Sequence, residues 1–291
     1  MNEDAREKKL KAIVDWSQQN VEVRAVLLTS SLANLDAPVD QFSDLDIELI
    51  LENNTDYISD NMWIHNFGRP IAKLEEDESC FNGEYAMKMV LYNDYVKVDF
   101  KLYSKANFLK EISKTELCED WDIGYKILID KDGLTVGMTQ PTYQVSIIKQ
   151  PDADEFEKLL NDFWWDTTYV AKCLARSDIF YAKFMLENNI RTEYLKPLIE
   201  WYIASDHNWK ITTNKHGRLF EQYLPSKMWQ RILQTFSGHD TNQNWDAMFA
   251  MADLVNEMGT YLSAKLNYKY PTQLEADIRK YLIDVCKKGT N

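Results

Sequence analysis

Two aspartates separated by one residue, Asp44 and Asp46, are the side chains best placed to do chemistry in this sequence. Asp44 directly precedes the segment 45–51 and Asp46 lies in it; this segment begins with alternating apolar and acidic residues, as in a strand with one solvated side. Residues i and i+2 of a strand point to the same face, so the two carboxylates project together. Such a pair needs a positive charge nearby, and Mg²⁺ is often held by one or two carboxylates together with substrate phosphates. The pair is therefore a candidate Mg²⁺ site, which together with further groups would serve phosphoryl or nucleotidyl transfer.

A turn of small hydroxyl residues and a third acid add to this prediction. The apolar run 23–28 predicts a buried strand, and residues 29–31 (Thr-Ser-Ser) end it in a turn that can present backbone N–H groups to a phosphate. Asp99 alternates with apolar residues in the predicted strand 95–102 and can supply a third carboxylate. An Asp-x-Asp pair is weak evidence by itself, since 46 residues are acidic and chance pairs are expected. The acids at 75–78, for example, are expected on the solvated surface.

The elements that must position these residues belong to two regions. In the first region, the patterns predict a helix over 3–19, a mixed sheet, and a hairpin that turns at Asn93-Asp94. After Pro141 the spacing is helical almost to the end. Helices are predicted over residues 154–176, 178–189, 191–205, 218–236, 243–266 and 272–287.

These patterns predict an α+β fold. An N-terminal domain over 1–140, a mixed β-sheet with helices, is followed by an all-helical domain over 141–291.

Composition and charge exclude several classes of protein. The 46 acidic and 33 basic residues give a net charge of −13, which argues against phosphate-mediated binding of nucleic acid and favours a cationic ligand. The four cysteines are widely spaced, so we expect reduced thiols and no zinc site. The charged N-terminus predicts no signal peptide, and no window is apolar enough to cross a membrane. We expect a cytoplasmic protein that binds neither nucleic acid nor membrane; the oligomeric state is open, with a monomer favoured.

The segment 23–51 resembles the nucleotidyltransferase motif, hG[GS] followed at a distance by Dh[DE]. It is most similar to the aminoglycoside 6-adenylyltransferases that inactivate streptomycin. Other segments that resemble landmarks of that family are 42–47, 96–99, 127–132, 148–151, 163–172 and 268–271. This chain departs from the family in having Ser30-Ser31-Leu32 in place of Gly-Ser-Arg. Glycine permits positive φ and close approach of a phosphate, so the change can weaken turnover or alter how ATP is held.

The resemblance implies a reaction and roles for the three acids. Mg²⁺ bound by Asp44, Asp46 and Asp99 would hold the phosphates of ATP, and an aminoglycoside hydroxyl would attack the α-phosphorus in line and expel pyrophosphate. Streptomycin is the expected acceptor, and the reaction would give antibiotic resistance. The resemblance implies that Asp99 is the general base. Ser31 and the backbone around Ser30 would contact the terminal phosphates.

The predicted helix from 154 has two distinct faces. Its apolar seam is Phe156, Leu159, Leu160, Phe163, Thr167, Val170 and Leu174. A separate stripe carries Trp165, Tyr169, Lys172 and Arg176 at i, i+4, i+7 and i+11. We hypothesise that this stripe lines a cleft between the domains, with Lys172 reaching the triphosphate. The alternative is a solvated face whose cations favour the helix C-terminus. Lys149 is a second phosphate candidate.

The drug pocket is predicted from the chemistry of streptomycin. Its two guanidinium groups need carboxylates and flat aromatic faces. Asp166 beside Trp165 and Glu200 beside Trp201 are the predicted contacts, although Glu200 fits a surface acid equally well. The histidines, which show no ligand spacing, are His65, His207, His216 and His239.

Two other functions remain open from the sequence. One is a non-catalytic protein on the same fold that binds a nucleotide or a cationic ligand, with Ser30 marking lost turnover. The other is an adenylyltransferase for a different small hydroxyl substrate, such as another aminoglycoside or a lincosamide. A nucleic-acid polymerase is disfavoured by the net charge of −13.

Overall fold

A mixed β-sheet dominates the N-terminal part of the computed structural model, which describes residues 3–34 and 37–289. Within these residues the sheet has six strands: Val23–Thr29 (β1), Leu45–Leu51 (β2), Pro70–Glu76 (β3), Ala86–Tyr92 (β4), Lys97–Ser104 (β5) and Tyr125–Asp130 (β6). Their order is β3-β4-β5-β2-β1-β6. β2 and β5 run parallel, whereas the other neighbours are antiparallel. The parallel register places Asp46 opposite Asp99.

The two faces of this sheet bury different sets of side chains. The N-terminal helices are Glu3–Gln19 (α1), Thr55–Ser59 (α2), Lys105–Ile112 (α3) and Glu119–Asp122 (α4). One face, which includes Ile47 and Phe100, forms a core with residues of α1 and with Trp63. On the opposite face, Ile50 and Tyr103 form a second core with Leu27 and with residues of α3 and α4. Because strand residues alternate, Asp46 and Asp99 lie on this second face.

Helices make up the C-terminal part of the chain. They are Ala153–Ala175 (α5), Ile179–Lys183 (α6), a π-helical stretch Phe184–Leu195, Lys196–Asp206 (α7), Phe220–Tyr223 (α8), Ser226–Leu233 (α9), Thr241–Leu266 (α10) and Thr272–Gly289 (α11). α5 begins with a capping box, in which Asp152 and Glu155 bond each other's backbone N–H groups. All seven residues of the predicted apolar seam of α5 are buried, which confirms that face assignment.

The chain divides into two compact units, Met1–Ser146 and Ile147–Asn291. The segment after β6 is tied to the first unit because the Asp122 carboxylate accepts hydrogen bonds from the Thr142 backbone and hydroxyl, both at 2.7 Å. None of the helices in residues 3–34 and 37–289 combines the length and apolar character that crossing a bilayer requires.

The α+β class is confirmed, but several local predictions differ from the structure. β3 was not predicted, because this edge strand is mostly exposed and shows no apolar alternation. The predicted helix break at Asn188-Asn189 is wrong, since π-helical backbone continues through it. The hairpin after β4 has a three-residue loop ending at Tyr95, whose φ of 63° gives the left-handed residue common in such loops.

Candidate active site

The acids predicted from the sequence converge at the N-terminal ends of β2 and β5. Asp46 and Asp99 are register partners in adjacent strands. The Lys97 ammonium bridges the third acid to this pair, with its Nζ 3.1 Å from Asp44 Oδ2 and 2.8 Å from Asp99 Oδ2. The like charges of Asp99 and Asp44 act on Asp46, which shows that all three carboxylates share one electrostatic environment. Sequence reasoning required a positive charge beside the acids but did not identify Lys97 as its source.

Burial and like charge perturb the pKa of Asp46. Burial, followed by the charge of Asp99, raises the pKa of Asp46 to about 6, although a hydrogen bond from the Ser30 hydroxyl acts in the opposite direction. Burial works to lower the pKa of Lys97, but its hydrogen bonds to Asp99 and Asp44 outweigh burial and the pKa is raised. The site therefore concentrates negative charge that Lys97 only partly compensates.

Replacing Asp46 with asparagine is expected to stabilise the metal-free protein at pH 8 by about 1–2 kcal/mol. The folded-state pKa of about 6 lies above the unfolded value, which is roughly 3.9. The folded state therefore binds the Asp46 proton more tightly than the unfolded state does. Protonated Asp46 contributes fully to stability below pH 4, and this contribution is lost as the pH rises through 6. Urea unfolding in a metal chelator at pH 4 and pH 8 measures the effect; an equal gain at both pH values would contradict it.

The turn between β1 and β2 begins with a serine in the left-handed region. Ser30 has φ of 59°, and its carbonyl accepts hydrogen bonds from the backbone of Ala33 at 3.0 Å and Asn34 at 3.1 Å. The position therefore uses the backbone conformation that glycine adopts most easily, at a cost for serine. Ser31 follows in the same 3₁₀ turn, Ser30–Leu32, and is half-buried. The hydroxyl of Ser30 is directed to Asp46, which a glycine could not provide.

We expect Ser30→Gly to be more stable than Ser30→Ala by about 1 kcal/mol, because both lose the hydroxyl but only glycine relieves the left-handed backbone. Ser31 is not among the residues with positive φ, so Ser31→Ala should be more stable than Ser31→Gly. Denaturant unfolding of the four variants tests the comparison. An alanine variant at position 30 as stable as the glycine variant would show that this φ is not strained.

A buried ion pair lies next to the acids on the same face of the sheet. Glu48 is fully buried, and its register partner Lys101 places Nζ 3.4 Å from Glu48 Oε1. Glu48 Oε2 accepts a hydrogen bond of 2.7 Å from the Trp121 indole. Lys101 also contacts Asp120. The charges of Glu48 and Asp120 outweigh burial and raise the pKa of Lys101, so this lysine stays charged.

The aromatic stripe predicted on α5 is present in the C-terminal unit. Trp165 is 63% exposed, and its ring centroid lies 6.5 Å from that of Tyr169. The Lys172 ammonium lies 4.4 Å from the centre of the Tyr169 ring, in a cation–π contact. Lys149 is exposed in the same unit. With Arg176, which is also exposed, the stripe carries two aromatic side chains and two cations.

The two carboxylates predicted for the drug pocket already have partners. Asp166 accepts hydrogen bonds from the Asn189 amide and, at 2.8 Å, from the Tyr194 hydroxyl, both in the π-helical stretch. Glu200 forms an ion pair of 3.2 Å with Lys196. Trp201 is partly buried and packs against the helical core. These contacts fix the orientation of the carboxylates before any ligand arrives.

Comparison with known proteins identifies the family of this chain. The streptomycin adenylyltransferase family model matches residues 4–285. The chain belongs to this family. An aminoglycoside 6-adenylyltransferase from Campylobacter jejuni is 29% identical over 282 residues, 95% of this chain and 94% of the relative. Another from Bacillus subtilis is 29% identical over 272 residues, 92% and 93% of the two chains.

A solved structure is also similar to the chain. It is an aminoglycoside 6-adenyltransferase from Bacillus subtilis, which aligns over 96% of this chain and 98% of its own at 24% identity, with a TM-score of 0.46. The match of the family model to almost the whole chain makes the protein a nucleotidyltransferase of the streptomycin adenylyltransferase family.

The acids of this family member suit a divalent cation that arrives with its substrate. Asp99 Oδ1 is buried and accepts no hydrogen bond from the residues that the structure describes, so this hard oxygen is available to a group that enters the site. Within residues 3–34 and 37–289, no group of three or more His, Cys, Asp or Glu side chains is arranged so that it could hold a metal ion by itself. Mg²⁺ does not require such a group, because it usually takes one or two carboxylates with waters and phosphates. The residues present therefore fit Mg²⁺ with ATP.

Proposed function

We propose that this protein transfers AMP from ATP to a hydroxyl of an aminoglycoside, with streptomycin as the expected acceptor, and so confers resistance to the drug. The main support is the convergence of Asp44, Asp46 and Asp99 beside the turn that begins at Ser30. Membership of the streptomycin adenylyltransferase family gives the substrate class. The relatives named above carry the same activity in their names.

The proposed chemistry assigns the proton to Asp99. The acceptor oxygen forms a bond to the α-phosphorus while the bond from that phosphorus to the pyrophosphate oxygen breaks. Asp99 Oδ1, which accepts no hydrogen bond within the described part of the chain, would take the hydroxyl proton. Asp44, Asp46 and Asp99 would hold Mg²⁺, which supplies neutralisation of phosphate charge when bound.

The contacts to the rest of ATP are proposed from the turn and from two cations. Ser31 and the backbone at Ser30 would donate to the terminal phosphates. Lys172 and Lys149 of the C-terminal unit remain our candidates for further phosphate contacts.

The drug contacts are proposed for the C-terminal unit. Trp165 and Tyr169 would provide flat aromatic faces for the drug. Trp201, next to Glu200 in the sequence, would provide another. Asp166 and Glu200 would bind guanidinium groups, and because both already have protein partners, the drug would have to share or replace those bonds. The domains over 1–140 and 141–291 are thus proposed to bind the nucleotide and the drug respectively, in the cytoplasm.

Transfer of labelled AMP from α-labelled ATP to streptomycin under single-turnover conditions tests the proposal. We expect a product whose mass is that of the drug plus AMP, and resistance of a susceptible host that is lost in Asp46→Asn. Nucleotide binding without product would favour a non-catalytic protein. Product with another aminoglycoside or a lincosamide, but none with streptomycin, would overturn the choice of acceptor while the reaction class stands.

A further inference from the structure

An ammonium group lies where the three acids converge. Lys97 Nζ contacts one oxygen of Asp44 at 3.1 Å and one of Asp99 at 2.8 Å. An ammonium has donors and no acceptor, so both contacts are charge-assisted hydrogen bonds to carboxylates. Lys97 sits two residues before Asp99 on β5 and therefore shares its face of the sheet. The protein thus supplies its own cation to a site whose acids would otherwise repel each other.

Lys97 is more exposed than Lys101, another lysine on this face of β5. Lys101 has a side chain only 13% exposed, next to the fully buried Glu48, and lies over the Tyr85 ring. Lys97 is 39% exposed, and its ion pairs are with Asp44 and Asp99. A flexible four-carbon stem lets such a group leave its partners without disturbing the core.

We propose that Lys97 is an internal counter-ion that holds Asp44 and Asp99 in the metal-free protein and leaves them when a divalent cation binds. This inference rests on the proposed metal site. The ammonium is bonded to Oδ2 of both acids, so a cation that uses those oxygens competes with it. Lys97 is accordingly a positioning residue that prevents collapse or spreading of the acids before ATP arrives, and it competes with the metal.

The competition gives Lys97→Met two opposite effects. Without metal, the thermal unfolding midpoint should fall, because the carboxylates lose their counter-ion. Binding of Mn²⁺, a spin probe that prefers the same ligands as Mg²⁺, should tighten by about fivefold or more, since direct charge pairs are worth about 1 kcal/mol or more at contact distance. A purely structural role would weaken both stability and metal binding.

The measurement is Mn²⁺ titration by electron paramagnetic resonance, with and without a non-hydrolysable ATP analogue, at 0.1 M and 1 M KCl. Screening at 1 M salt acts beyond about 3 Å, so a contact effect persists, whereas a general effect of net charge fades. Lys105→Met is the matched control, because Lys105 also pairs with two carboxylates, Glu52 at 3.1 Å and Asp132 at 3.5 Å. Its Kd for Mn²⁺ should stay within about twofold of wild type, since its pairs lie outside the triplet. Lys97→Gln repeats the test with a polar side chain if the methionine variant folds poorly.

The outcomes separate the inference from the proposed function. If wild type binds no Mn²⁺ even with the ATP analogue, the metal site and the counter-ion role both fail. If wild type binds Mn²⁺ and the Lys97 variants bind it equally or more weakly, the metal site stands and the role of Lys97 is wrong. Tighter binding that disappears at 1 M KCl also contradicts displacement.

Discussion

Asp99→Asn is expected to lower kcat for AMP transfer by about 10³-fold, within the range attributed to a general base. The amide has nearly the same volume as the carboxylate, so the strand and the Val98 and Phe100 side chains of the core should be undisturbed. It cannot take a proton from the acceptor hydroxyl, and it is a weaker ligand for a cation. Pre-steady-state transfer of labelled AMP to streptomycin measures the loss, and ATP binding measured separately shows whether the nucleotide still enters.

Asp132→Asn is the control for this experiment. Asp132 is an acid of the same unit that pairs with Arg24 and is remote from the triplet in its contacts. Its variant should retain kcat within about threefold of wild type, as expected for surface substitutions. If Asp99→Asn also retains kcat within tenfold, another group accepts the proton, and the assignment of the general base to Asp99 is wrong although the family remains.

The sequence predicted which residues would share a face but not which strands would be neighbours. Period-two alternation is a local property. It therefore predicted that Asp44 and Asp46 share one face of their strand, and that Asp99 points to the face opposite its apolar neighbours. The parallel pairing of β2 with β5, which sets Asp46 opposite Asp99, depends on contacts between distant segments. The same alternation puts Lys97 on the face of Asp99, so the counter-ion could have been found once that pairing was assumed.

The C-terminal unit shows the complementary limit. The 3.6-residue period correctly separated the buried seam of α5 from the exposed Trp165. It could not show that Asp166 would be held by Asn189 and Tyr194, because those partners come from a stretch whose π-helical backbone has no simple sequence period. Helical patterns predict which face a residue occupies, whereas the partners of a polar side chain depend on tertiary packing.

Lys101→Met is expected to destabilise the protein by about 3–5 kcal/mol, the usual cost of breaking a buried ion pair by removing one partner. Glu48 is fully buried, and among the described residues its Oε1 accepts no hydrogen bond and has only the Lys101 ammonium nearby, at 3.4 Å. Without Lys101 the carboxylate must remain as an unpaired buried charge or take up a proton. Urea unfolding at pH 8 measures the loss, and Lys105→Met, with a more exposed lysine, should cost less than about 1 kcal/mol.

The double variant Lys101→Met/Glu48→Gln distinguishes the charge from the packing of the lysine stem. The glutamine amide oxygen can still accept the Trp121 N–H, so removing the buried charge should recover at least half of the loss. If the double variant is as unstable as Lys101→Met, packing and not charge dominates. Recovery of stability with a reduced kcat would instead mean that the ion pair also positions Asp46 and Asp99. These acids lie two residues before Glu48 and Lys101 on the same strands, and neighbours on one face are held by the same cross-strand contacts.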